Sequence, residues 1–155
     1  MRQTRTTTHI AAPPGVVFTR LTDLDRLPDW NAAIRDVPLR PARLEPGAEW
    51  TVTMHVRGMT WRSRAHALEV DRERGRFAYR SSREGTDPSC TLWRWAVDDG
   101  PAGGSTVTVT WQFLPETPLY RILLFPMRRA GLAREVQASL GKLAAARSLP
   151  ANGQR

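Results

Sequence analysis

The sequence is poor in the residues on which many small proteins depend. Cys90 is its single cysteine, which excludes an internal disulfide framework and a cysteine zinc finger. Three histidines, His9, His55 and His66, leave little material for a histidine metal site, and nothing has zinc or calcium ligand spacing. Gly100-Pro101-Ala102-Gly103-Gly104 lacks the helix and lysine that a phosphate-cradling loop needs. No serine sits in a nucleophile-elbow context. The most apolar run, residues 119–127, is broken by Arg121 and Pro126, whereas a bilayer span needs about 20 residues. The opening Met1-Arg2-Gln3-Thr4-Arg5 is polar and has no apolar signal core. These absences predict a soluble, cytoplasmic protein with no transmembrane segment, metal or cofactor.

Arginine is what the chain has in excess. There are 23 basic and 15 acidic residues, a net charge of +8, and Lys142 is the only lysine. An acidic partner would explain this, and so would a G+C-rich coding bias. The arginines are scattered and form no block of five or six like charges, so nucleic acid is not an expected partner. With 155 residues, 41% hydrophobic and 25% charged, the chain suits one domain with a real core.

Residues 3–10 are Thr-rich and end in Ile10, which predicts a first strand. Pro13-Pro14-Gly15 stops it, proline being tolerated where a helix begins. Val17, Phe18 and Leu21 then recur at helical spacing to about Thr22. Asp23 and Asp25 are N-cap candidates for a second short helix through Leu27, Pro28 and Trp30. From there the period becomes two. A Pro-interrupted edge strand is expected over residues 37–44, and strands over 49–56 and 59–70 about an Arg57-Gly58 turn. Three more follow, with Phe77, Tyr79 and Ser81, then Thr91, Trp93, Trp95 and Val97, then Val107, Val109, Trp111 and Phe113, each set on one face. The apolar phase slips near Leu68 and Val70, which predicts a bulge and leaves the faces of His66 and Glu69 dependent on it. Leu132, Val136, Leu140 and Leu143 mark a long amphipathic helix from Thr117-Pro118 to about Ser148. A flexible tail, residues 149–155, follows. The sum is a single α+β domain over residues 1–148. A curved antiparallel sheet of about seven strands wraps the long C-terminal helix, with two short helices after the first strand and a hydrophobic cavity inside.

Ile10-Ala11-Ala12-Pro13-Pro14-Gly15-Val16-Val17-Phe18 and Leu21-Thr22-Asp23-Leu24-Asp25-Arg26-Leu27-Pro28-Asp29-Trp30-Asn31 resemble the opening signature of the START-like helix-grip (SRPBCC) superfamily. Within it the chain resembles the polyketide cyclase/dehydrase and lipid-transport family. Trp61, Glu69-Val70-Asp71, Arg83-Glu84-Gly85, Trp93-Arg94-Trp95 and the Gly104 to Val109 stretch follow in the matching order. The likeness covers roughly residues 3–148. It implies a helix-grip fold around a hydrophobic cavity. The superfamily includes cyclases, lipid carriers and receptors, so fold alone does not assign function.

Six tryptophans is a high count for this length. Trp50, Trp61, Trp93, Trp95 and Trp111 fall in phase on the concave face, either as plain core or as the wall of a flat aromatic pocket. Met54, Ser63 and Phe113 share that face, and these eight residues are the ligand-binding candidates. Met59 adds adaptable surface, and Trp30 is expected to pack the helical corner. The resemblance to aromatic cyclases implies an arginine and a tyrosine that orient a carbonyl or enolate oxygen. Arg83 and Tyr79 take those roles here, as the catalytic candidates, against the alternatives of a surface arginine and a half-buried sheet tyrosine. Glu69 stands where a second inward arginine would fit the family pattern. His55 and His66 are expected on the convex side, and Gln137 and Ser139 are the polar groups of the terminal helix. Residues 119–127 read as a lid, a dimer contact or core. Arg121, Arg128, Arg129 and Arg134 beside them suit an acidic acyl carrier protein. The expected function is cofactor-independent cyclisation or dehydration of an aromatic or polyketide-type molecule. The alternative is a carrier or sensor of a lipid, quinone or isoprenoid, as monomer or homodimer.

Overall fold

The computed structural model of the chain describes residues 3–85 and 90–114. The expected terminal helix, the tail, residues 119–127, the polar pair Gln137 and Ser139 and the four arginines assigned to an acidic partner lie outside them. β1 (Gln3–Ile10) leads into α1 (Pro14–Thr22), a 3-10 turn (Leu24–Arg26) and α2 (Leu27–Trp30). β2 (Ile34–Leu39), β3 (Glu49–Val56), β4 (Met59–Asp71), β5 (Arg76–Arg83), β6 (Cys90–Asp99) and β7 (Ser105–Leu114) complete the order. All seven strands form one curved antiparallel sheet, β1-β7-β6-β5-β4-β3-β2. This α+β arrangement is consistent with a helix-grip fold.

Local chemistry explains most element boundaries. Pro13 and Pro14 open α1, whose Val17, Phe18 and Leu21 are all buried. Asp23 occupies the N-cap position of the 3-10 turn but makes no side-chain capping bond, and Asp25 pairs instead with Arg40. Neither aspartate therefore caps the second helix as the spacing suggests. Arg57 and Gly58 have φ of 51° and 78°, the two positive values of the tight hairpin turn that matches strand twist. Gly75 has φ of 66° and lies so close to the Val97 carbonyl that a Cβ would collide with it. The Gly75 carbonyl also accepts the Val97 N–H at 2.8 Å, so this turn is locked onto β6. At the same corner the Arg72 guanidinium caps the Phe18 ring at 5.5 Å and donates to the Thr19 hydroxyl at 2.9 Å.

Two sheet expectations need comment. The edge strand occupies Ile34–Leu39, not residues 37–44. The Asn31 side-chain oxygen takes the Ala33 N–H at 3.1 Å and starts the strand early, while Pro38 and Pro41 prevent regular pairing further on. Its register against β3 is correspondingly irregular. The β4 bulge lies between Ala67 and Glu69. It leaves Leu68 exposed and turns Glu69 outward, so Val70 takes the inward place opposite Phe77. Glu69 therefore does not stand in for an inward arginine.

The concave face carries the core. Val107 and Val109 are fully buried, with Phe77, Val97 and Trp111 around them and α1 packed across β6 and β7. Outside, His66 pairs with Glu49 at 3.3 Å, and His55 and His9 bond to Thr60 and Thr106 at 2.8 and 3.1 Å.

Candidate functional site

The concave side of β3 to β6 does not close fully against the α1–α2 segment. A cavity remains, with about 100 Å³ in which the centre of a water molecule fits. Its floor is Trp50, Val52 and Met54 from β3, Ser63 and Ala65 from β4, Phe77, Tyr79 and Ser81 from β5, and Trp93 and Trp95 from β6. Its roof is Leu21, Leu24, Leu27, Trp30, Asn31, Ala33 and Ile34. Strand alternation places every floor residue, and small Ala65 opposite Trp50 makes room for the indole.

Tyr79 sits at the centre of an aromatic row. Tyr79, Trp93 and Trp111 are directly opposed on three neighbouring strands. Tyr79 and Trp93 stack at 6.2 Å and 21°, and Trp93 and Trp111 at 6.0 Å and 28°. Trp50 meets Tyr79 edge-on at 5.3 Å and 64°. Aromatic pairs in these geometries add about 0.5–1.5 kcal/mol each beyond area burial. Burial pushes the Tyr79 phenol up to about 12; the neighbouring Trp95 indole N–H opposes the shift without reaching hydrogen-bond geometry. Tyr79 therefore keeps its proton at neutral pH and acts as a donor. Other polar groups in the wall are engaged: the Trp93 N–H donates to the Ser81 hydroxyl at 3.0 Å, and the Ser63 hydroxyl to the Ser82 carbonyl at 3.2 Å.

Six of the ten sequence candidates come together here: Trp50, Met54, Ser63, Tyr79, Trp93 and Trp95. Four do not. Trp111 is buried behind Trp93 and supports it, and Phe113 is buried on β7, beyond the wall. Trp61 is on the inward phase of β4, but its ring lies under the Arg83 guanidinium, 5.7 Å from it. Arg83 itself is exposed at the end of β5, four residues from Tyr79, or about 13 Å along the strand. The two catalytic candidates thus do not converge on one point. Glu84 pairs with Arg64 at 3.7 Å rather than with Arg83. Met59 is 65% exposed in the hairpin turn.

Trp30 corrects an expectation in the other direction. It does not merely fill a corner: it roofs the cavity and meets Trp95 edge to face at 5.9 Å and 85°. The roof was missed because it comes from helices and a turn, where period-two phase says nothing. The opening signature, which holds Leu21, Leu24, Leu27 and Trp30 together, was the available signal.

Among the described residues no group of His, Cys, Asp or Glu could hold a metal ion, and no helix is long and apolar enough to cross a membrane. None of the described lining residues is charged. The site can bind and orient a flat apolar molecule and donate hydrogen bonds to it.

A domain of this fold with an aromatic-walled cavity defines a class of small-molecule-binding proteins. Sequence then narrows the class: the chain belongs to the polyketide cyclase/dehydrase and lipid transport family, whose profile matches residues 1–147. No curated protein matches it. Among solved structures it is similar to the Zhui aromatase/cyclase from Streptomyces sp. R1128, with 21% identity, TM-score 0.75 and 99% of each chain covered. It is also similar to a START superfamily protein from Mycobacterium smegmatis (13% identity, TM-score 0.73, 92% of this chain and 94% of that one). The di-domain ARO/CYC BexL matches at 16% identity and TM-score 0.77, over 99% of this chain and 48% of that one. At these identities the structural likenesses speak to fold.

Proposed function

We propose that this protein binds a hydrophobic, aromatic or polyketide-type molecule in its cavity and assists cyclisation or dehydration without a cofactor. One observation carries the reading: a protonated Tyr79 set between Trp50 and Trp93 in an otherwise apolar wall. The indole and phenol faces hold a planar ring system in one orientation, and such positioning is itself a large part of catalysis for an intramolecular condensation. The Tyr79 hydroxyl donates to a carbonyl oxygen and stabilises the negative charge that grows there as an enolate forms. In a site screened from water a fixed donor of this kind is worth far more than in bulk solvent. Arg83 would meet only a ligand long enough to run past its strand partner Ser63 to the end of β5. The family description and the likeness to aromatase/cyclases support this reading.

A carrier that does no chemistry is the second reading. It is favoured by the absence of a charged or acid–base pair among the described lining residues. Native mass spectrometry of protein purified from its own host separates the two. A planar polyketide mass supports the cyclase; a fatty acid or quinone mass favours the carrier. A single unliganded species refutes a tightly loaded carrier.

A further inference from the structure

We infer that the Trp30 and Trp95 indole N–H groups select the ligand, and that they take a neutral, planar molecule with a carbonyl-type oxygen rather than a carboxylate. The inference rests on the cavity-binding reading above and adds which molecules the cavity accepts. Both rings wall the cavity, are 3% and 4% exposed, and touch each other edge to face. Neither Nε1 has a hydrogen-bond partner. Buried donors are nearly always matched in native proteins, and an unmatched one marks strain or an absent partner. The Trp111 N–H is also unmatched, but its ring lies behind the wall.

The remaining polar groups define what that partner is. The Ser81 oxygen already accepts from Trp93, and the Asn31 side-chain oxygen from the Ala33 N–H at 3.1 Å. The Tyr79 hydroxyl adds a further donor close to the Trp95 indole. The cavity therefore offers N–H and O–H groups in excess and few open acceptors. It also has no cation among its described lining residues to offset the desolvation of an anion. The complementary ligand is uncharged, rich in acceptors and poor in donors. Water does not reach either indole nitrogen in the empty cavity, so the ligand oxygen engages them with a small turn of the paired rings.

Three matched tricyclic probes test this by equilibrium dialysis against the full chain: fluorene, 9-fluorenone and fluorene-9-carboxylate. Fluorenone should bind about tenfold more tightly than fluorene, as expected for one or two neutral hydrogen bonds, and the carboxylate should bind most weakly. Trp30→Phe and Trp95→Phe should each weaken fluorenone by about threefold to tenfold, while leaving fluorene within about twofold. A measurement on the unaltered protein guards against variants that fold poorly: fluorenone, but not fluorene, should shift two indole N–H proton resonances downfield. Equal affinity for fluorene and fluorenone, or tightest binding of the carboxylate, overturns the inference and leaves the cavity-binding reading standing. Binding of none of the three overturns both.

Discussion

Raising the pH offers a direct test of how the cavity treats Tyr79. Its phenol is pushed from 10.0 to about 12, chiefly by burial. The folded state therefore holds a proton that the unfolded chain releases near pH 10. Stability from this group is fully present below pH 10 and is lost as the pH climbs towards 12. With those two values the loss is about 1.4 kcal/mol at pH 11 and approaches about 2.7 kcal/mol beyond pH 12. The assay is urea unfolding at pH 8 and pH 11 for the parent protein and Tyr79→Phe. Every other titrating group cancels in the comparison, including Tyr120, the only other tyrosine. The parent should lose about 1.4 kcal/mol more than the variant between the two pH values. A phenolate difference spectrum, parent minus variant, should rise about two pH units above a free tyrosine. An identical pH dependence in the two proteins, with a phenolate midpoint near 10, would show that Tyr79 is freely solvated. It would also remove the reason for regarding the site as screened from water.

Other substitutions probe the frame around the site. Trp111→Ala removes the ring that backs Trp93 and should cost about 3–5 kcal/mol in a denaturant titration; a loss under 1 kcal/mol would mean the stack is loosely packed. Gly75→Ala meets both a positive φ and the Val97 carbonyl, and should destabilise by about 1–3 kcal/mol, read as a lower Tm. Arg83→Leu should leave fluorenone affinity within about twofold, because the guanidinium lies on Trp61 outside the wall. In the cyclase reading a substrate long enough to reach Arg83 should lose about tenfold in turnover, whereas an unchanged rate would remove Arg83 from the chemistry.

Strand phase was legible in the sequence because a half-buried strand must alternate. Trp50, Val52 and Met54, or Trp93 and Trp95, could face only one way once the apolar face was known. The Leu68 slip was visible for the same reason: a bulge breaks the alternation it interrupts. The edge strand was misplaced because Pro38 and Pro41 blur its pattern, while its true start depends on a side-chain bond from Asn31.

Residue order alone thus determined the strands, the turns at Arg57-Gly58 and Gly75, and an aromatic concave face. Folding decided which aromatics became wall and which became support. Trp93 and Trp111 have the same phase, yet only Trp93 borders the cavity, because α1 packs across β7 and not across the floor of β3 to β5. The roof at Trp30 was likewise decided by packing, since no periodicity relates a helix to the strand it will meet. The separation of Tyr79 from Arg83 follows from the rise along a single strand. The elevated pKa of Tyr79 comes from the rings that enclose it, and the unmatched indoles of Trp30 and Trp95 are brought together by contacts between distant segments. Local patterns fix the direction of a side chain within its element, but the solvent and partners it finds there depend on the whole chain.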